Sequence, residues 1–198
     1  LAVFSSESAI FLLMLAAVER SLSAKDMMKK AEEKENVIDT LNGDISQYIS
    51  KILVSSNSGQ NVTSIEQYFL ITGNAERIGD HAMNIAGYVE VMKKKSIVFS
   101  DDARREILKM QEITKNAMYK ILHKEEDTTR WLSDVASMEQ QIDDMTKRYR
   151  ERHLERMRKG LCNEEACVLY SELLTDFERI GDHVLNIAQC YTKIYSYN

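Results

Sequence analysis

Four acidic pairs carry the chemistry this chain offers: Glu35 with Asp39, Glu76 with Asp80, Glu139 with Asp143, and Glu178 with Asp182. Residues four apart share one face of a helix, one turn above each other. A single Glu-x-x-x-Asp is ordinarily a solvated face. Here two of the pairs sit in a duplicated motif. Glu76-Arg77-Ile78-Gly79-Asp80-His81-Ala82-Met83-Asn84-Ile85-Ala86 returns 102 residues later as Glu178-Arg179-Ile180-Gly181-Asp182-His183-Val184-Leu185-Asn186-Ile187-Ala188, with nine of eleven positions identical. Helical preference does not generate such a match; duplication does. Glu35-Asn36-Val37-Ile38-Asp39 is echoed more weakly by Glu139-Gln140-Gln141-Ile142-Asp143, 104 residues on.

The pairs also share a level. Asp39 and Glu76 are equidistant from the polar loop Ser55–Asn61, and Asp143 and Glu178 from the turn at Gly160. In antiparallel hairpins this sets Asp39 beside Glu76, Glu35 beside Asp80, Asp143 beside Glu178 and Glu139 beside Asp182. Each level lies about 27 Å from its hairpin tip. Four carboxylates at one level repel, and bound cations would resolve the conflict. Arg77 and Arg179 are the competing neutralisers. Asn84 and Asn186 extend each stripe by a turn, with amide oxygens that could ligate or orient. Gly79 and Gly181 cost propensity at mid-helix and suggest close backbone approach at the site. His81 and His183 stand about 100° round the helix from the acidic stripe. This suits a supporting or bundle-surface role better than ligation.

The elements that must position these residues are helices. Apolar residues recur at helical spacing almost throughout, and the 198 residues include no proline and only 7 glycines. The pattern predicts helices over 5–22, 24–54, 62–94, 101–124, 128–159 and 163–195. Ser23, Ser100, Asp127 and Asn163 are candidate N-caps, and Thr63-Ser64-Ile65-Glu66 has capping-box spacing. The expected fold is all-α, two tandem three-helix bundles over 1–97 and 98–198. The apolar run Ala9–Val18 is half the length needed to cross a bilayer and reads as a core helix. The start at Leu1 permits a domain cut from a longer chain, as tag removal also would. A net charge of −5 gives no basic excess for nucleic acid. Cys162, Cys167 and Cys190 contain no Cys-x-x-Cys, so reduced thiols are expected rather than a disulfide framework or zinc knuckle.

The motif Glu-Arg-Ile-Gly-Asp-His-x-x-Asn-Ile-Ala, present twice in a helical chain, resembles the PhoU family. The resemblance implies a duplicated three-helix bundle with iron or zinc clusters, whose ligands fall here on Glu35, Asp39, Glu76, Asp80, Glu139, Asp143, Glu178 and Asp182. The stretch from His153 through Gly160, Cys162 and Cys167 into Phe177-Glu178-Arg179-Ile180 looks like the cytoplasmic PhoU-like tail of bacterial sodium/phosphate cotransporters. Two departures stand out: Ala75 and Phe177 replace a more usual leucine, and Lys147 could place an ammonium near the second cluster.

The resemblance implies a non-enzymatic regulatory domain on the cytoplasmic side of the inner membrane, tethered to a transporter region of the same polypeptide and modulating phosphate uptake. Phosphate itself and a second copy of the chain are further candidate partners. The close alternative is a free-standing PhoU-type adaptor between an ABC phosphate transporter and a sensor kinase. A carboxylate-bridged di-iron enzyme would need Glu-x-x-His ligands, and none occurs. A metal-free scaffold with its acids paired to arginine is the remaining reading. No nucleophilic triad, Walker loop or dinucleotide fingerprint is present. Arg148, Arg152, Arg156 and Lys159 form a basic stripe that is either salt-bridged within the fold or a contact for an acidic partner or lipid headgroups.

Overall fold

Three of the four expected caps close their helices as the sequence predicts. The side chains of Ser100, Asp127 and Asn163 accept hydrogen bonds from the backbone N–H groups of Ala103, Arg130 and Ala166, at 3.3, 3.0 and 2.7 Å. They open three of five helices in a computed structural model that describes residues 24–55 and 59–196. The helices are α1 (Ala24–Ser55), α2 (Gly59–Lys95), α3 (Asp101–Leu122), α4 (Thr128–Arg158) and α5 (Glu164–Ser196). No strand occurs among the described residues. The helix expected over 5–22 and the cap at Ser23 lie outside them.

The capping box is a correction. Thr63 to Glu66 lie inside α2, which begins at Gly59. Extending an existing helix by a turn adds backbone hydrogen bonds without a new nucleation cost, so a local cap preference does not stop it. The helix ends are better specified. Ser96 takes a positive φ of 55° after α2, and Gly160 a φ of 65° after α4. In both turns a backbone N–H reaches five residues back, Ile97 to Met92 at 2.9 Å and Leu161 to Arg156 at 3.0 Å. This satisfies carbonyls that would otherwise be orphaned.

The helices pack as two antiparallel sets that share one core. α1 lies on α2, while α3 and α4 lie on α5, and α2 faces α5 across the middle. The duplication is visible in the buried residues. Ile38, Ile78 and Ile85 in the first half correspond to Ile142, Ile180 and Ile187 in the second, and all are at most 3% exposed. The core is nevertheless continuous, because α5 buries Leu173, Leu174 and Phe177 in the same cluster as Ile71, Ala75 and Ile78 of α2. Trp131 is fully buried, donates its indole N–H to the Lys120 carbonyl at 2.9 Å, and stacks edge-on with Tyr191.

A shared core predicts shared unfolding. Leu174→Ala removes a fully buried side chain and should cost about 2–5 kcal/mol. Urea melts followed by circular dichroism should move as one transition. Two separated transitions, with only one shifted, would show that the halves fold independently.

Candidate functional site

Each acidic pair lies on the face its hairpin partner covers, and the two clusters differ in their neighbours. In the first, Glu35 and Asp39 of α1 meet Glu76 and Asp80 of α2. Burial and the charges of Asp39, Asp80 and Glu76 push the Glu35 carboxyl up to about 7. Glu76 is also raised, by burial and then by Asp80 and Asp39, with Arg77 opposing. Oε2 of Glu35 is buried and accepts no hydrogen bond. Gly79 makes this position possible, since a Cβ there would sit 2.9 Å from that oxygen and 3.3 Å from Cδ1 of Ile38.

In the second cluster a carboxylate oxygen from each of Glu139, Asp143 and Asp182 lies within 4.8 Å of the other two. Burial raises Glu139, followed by Asp143 and Asp182; burial raises Asp143, followed by Glu178, Asp182 and Asp144. Oδ1 of Asp143 is buried without a partner. The residues that feel each other are those the equal-distance register sets side by side. Gly181 does a different task from Gly79: a Cβ there would meet Cδ1 of Ile142 at 3.1 Å rather than a carboxylate.

Arginine separates the two clusters. Arg150 donates to Glu178 Oε2 at 2.9 Å and to Thr175 at 3.0 Å, and Arg179 pairs with Asp182 at 3.0 Å. Among the described residues no salt bridge reaches Glu35, Asp39, Glu76 or Asp80. Lys147, which the sequence singles out, is exposed and forms no ion pair among the described residues. The cation at the second cluster is Arg150, seven residues from Asp143, two helical turns along α4. Ser46 stands 104 residues before Arg150, so the duplication itself lacks that charge in the first half.

The histidines and asparagines of the motif face the other half of the molecule. His81 Nδ1 lies 2.7 Å from Asp176 Oδ1, and His183 Nδ1 lies 2.9 Å from Asn74 Oδ1. Asn84 and Asn186 donate to the same two oxygens, each at 3.2 Å. Asn74 and Asp176 are themselves 102 residues apart, so the contact is reciprocal, as in a twofold interface. The two imidazoles stack between them with centroids 5.6 Å apart. Burial, then the charges of His81 and Arg77, holds His183 down to about 4. The asparagines therefore join the halves through their amide N–H groups. Sequence reasoning missed Asn74 and Asp176; polar residues at one repeat offset on an apolar face were the available signal.

The basic stripe on α4 is largely consumed within the fold. Arg156 and Arg152 reach the buried Glu106 at 2.7 and 3.4 Å, Tyr170 donates to Glu106 at 2.5 Å, and Lys159 pairs with Glu155 at 2.7 Å.

The PhoU domain profile matches residues 4–89 and 104–191, the two halves of the duplication. The chain belongs to the PhoU family. The phosphate-specific transport system accessory protein PhoU homolog 1 of Thermotoga maritima is 27% identical over 176 residues, 85% of this chain and 72% of that protein. The PhoU crystal structure from Pseudomonas aeruginosa superposes with a TM-score of 0.84 at 17% identity, covering 100% of this chain and 95% of that one. The phosphate transport system regulatory protein PhoU from Streptococcus pneumoniae gives 0.74 at 16%, covering 100% and 93%. The fold is that of PhoU, two tandem three-helix bundles. A 32-residue stretch is also 91% identical to the leucine-rich repeat-containing G-protein coupled receptor 4 of Bos taurus, spanning 16% of this chain and only 3% of that receptor. So short a match says nothing of the remaining residues. No helix among the described residues is long and apolar enough to cross a membrane.

Both PhoU-type clusters fit a cation, because each holds a buried carboxylate oxygen with no donor facing it. The first fits better, since among the described residues no arginine forms an ion pair with its acids, Arg77 acting on Glu76 only at longer range. In metal-stripped protein, a carboxyl raised from 4.5 to about 7 binds its proton more tightly folded than unfolded. Its ionisation therefore costs stability as pH rises through that window. His183 acts in the opposite sense between about 4 and 6.5, so the measurement is a difference. Glu35→Gln should be more stable than the parent at pH 8, with the advantage shrinking toward pH 5 in paired thermal melts. A variant less stable than the parent at every pH would show that Glu35 is held by favourable contacts.

Proposed function

We propose that this chain is a PhoU-type regulator of phosphate transport, non-enzymatic, whose two acidic clusters hold metal ions. The observation that carries it is the pair of carboxylate clusters at one level of each hairpin, repeated at the offset that the family profile also recognises. Glu35, Asp39, Glu76 and Asp80 would hold the first ion; Glu139, Asp143, Glu178 and Asp182 would hold the second. Their all-oxygen donor sets suit hard or borderline ions, and iron or zinc is the assignment carried from the resemblance. A bound ion would neutralise like charges and tie the two helices of a hairpin together.

The residues themselves account for the rest. Glu35 enters α2 through the gap left by Gly79. Arg150 holds Glu178 in reserve, so loading of the second cluster must first break an ion pair. His81, His183, Asn74 and Asp176 lock the halves together, so that a change in one hairpin is felt by the other. The free-standing adaptor is the first reading, because the relatives that match along most of their length are PhoU proteins described as transport-system accessory or regulatory proteins. Such a protein works on the cytoplasmic side of the membrane with a phosphate transporter as partner. The run from His153 to Cys167 favours a second reading, a regulatory tail of a sodium/phosphate cotransporter. Sequencing the reading frame upstream of Leu1 separates them: a multi-span membrane region supports the tail, a nearby start codon the adaptor.

Metal content tests the mechanism. Protein stripped of metal and reloaded with iron or zinc should melt higher, by about 2.7 kcal/mol of stability at one hundred times Kd. Asp80→Asn should empty the first cluster and leave the second loaded. Arg150→Met should raise the affinity of the second. No shift with any divalent ion would remove the metal from this reading. In a cell lacking its own PhoU protein, the chain should restore control of phosphate uptake, and Asp80→Asn should not.

A further inference from the structure

A third donor cluster lies at the tip of the α4–α5 hairpin, ten residues along α4 from Asp143 of the second acidic cluster. His153 reaches in from α4 and is 4% exposed; Cys167 sits in the first turn of α5 and is 5% exposed. Cys162 lies in the turn between them, half-buried. The turn is pinned at both ends. Gly160 adopts its positive φ, its N–H reaches the Met157 carbonyl at 2.9 Å, and the N–H of Cys167 reaches the Asn163 carbonyl at 3.0 Å. This fold-back sets the two sulfurs 2.7 Å apart. One donor atom from each of the three residues lies within 4.8 Å of the other two.

We propose that His153, Cys162 and Cys167 form a site for a borderline-soft divalent ion of the zinc kind, chemically distinct from the oxygen-only clusters. Two sulfurs and one imidazole nitrogen are a donor set that zinc takes in tetrahedral geometry, with a fourth position left for solvent. At a Zn–S distance of about 2.3 Å the sulfurs stand about 3.8 Å apart, so the half-buried Cys162 must swing out by about 1 Å from its 2.7 Å contact to bind. The imidazole is prepared for it. His153 Nε2 lies 3.1 Å from the Cys167 carbonyl oxygen, which can only accept, so that nitrogen carries the proton and the tautomer is fixed. Ligating histidines are commonly oriented by such a bond to a carbonyl. The Tyr170 ring, 4.6 Å away, closes one side. A disulfide is the competing account of the sulfur contact, with His153 then held only by its carbonyl bond and the Tyr170 ring. The spacing concealed this site: Cys162 and Cys167 are five apart, and the histidine lies nine residues upstream, across the turn.

Cobalt(II) reports on it, because thiolate ligation gives a near-ultraviolet charge-transfer band that carboxylate ligation does not. Added to the fully reduced chain, cobalt should produce that band, and zinc should bleach it. Cys162→Ser, at a half-buried position that leaves the core intact, should at least halve the band at saturation and weaken cobalt binding here by at least about tenfold. Its carboxylate-bound metal should be unchanged. His153→Gln should weaken the band in the same protein. A folded, reduced chain with no thiolate band overturns the proposal. So does a chain two hydrogens lighter by mass whose thiols stay blocked under mild reductant, which would make the pair a disulfide. Either outcome leaves the carboxylate clusters and the regulatory reading standing.

Discussion

The first hairpin is organised around a charge conflict that its helices cannot avoid. Packing α1 on α2 brings Glu35, Asp39, Glu76 and Asp80 within reach of one another's charge. Removing Glu35 from water there raises its pKa to about 7. A side chain on Gly79 would force the carboxylate out, and an arginine opposite would neutralise it. The described residues supply neither. Glu35 and Glu76 are thus held half-dry beside the exposed Asp39 and Asp80, an arrangement that costs stability unless a proton or a cation is present.

The second hairpin resolves the same conflict differently. Its acids keep the register and one keeps an unpartnered oxygen, but Arg150 and Arg179 each take one carboxylate. Duplicated sequence has therefore given two acidic clusters with unequal neighbours, one with arginine on two of its carboxylates and one with no such pair among the described residues. The seam between α2 and α5 couples them. Each motif histidine reaches across to a polar residue on the other half, and the imidazole stack, His183 buried and His81 half-buried, lies between. Because the core runs through this seam without a break, movement in one hairpin has a packed route to the other.

Local chemistry determined much of this protein from sequence alone. The caps at Ser100, Asp127 and Asn163 and the turn at Gly160 are decided by a few adjacent atoms, so helix ends are readable to within a residue or so. The acidic register is equally local, since it follows from counting residues to a turn. The repeat is a property of the string itself, and with it come the fold class and the identity of the eight carboxylates.

What only the tertiary structure decided is which charges and donors meet across elements. Lys147 is nearer in sequence to Asp143 than Arg150, yet Arg150 reaches Glu178, because reach depends on the face of α4 turned toward α5. Gly79 and Gly181 occupy identical motifs, but one admits a carboxylate and the other an isoleucine. His81 and His183 leave the acidic stripe for the opposite half, where Asp176 and Asn74 wait at a separation no local pattern records. His153 meets Cys162 and Cys167 only after the chain reverses at Gly160. Helical periodicity fixes a residue's direction within its own helix; the partner in that direction is set by packing, which is a property of all the helices together.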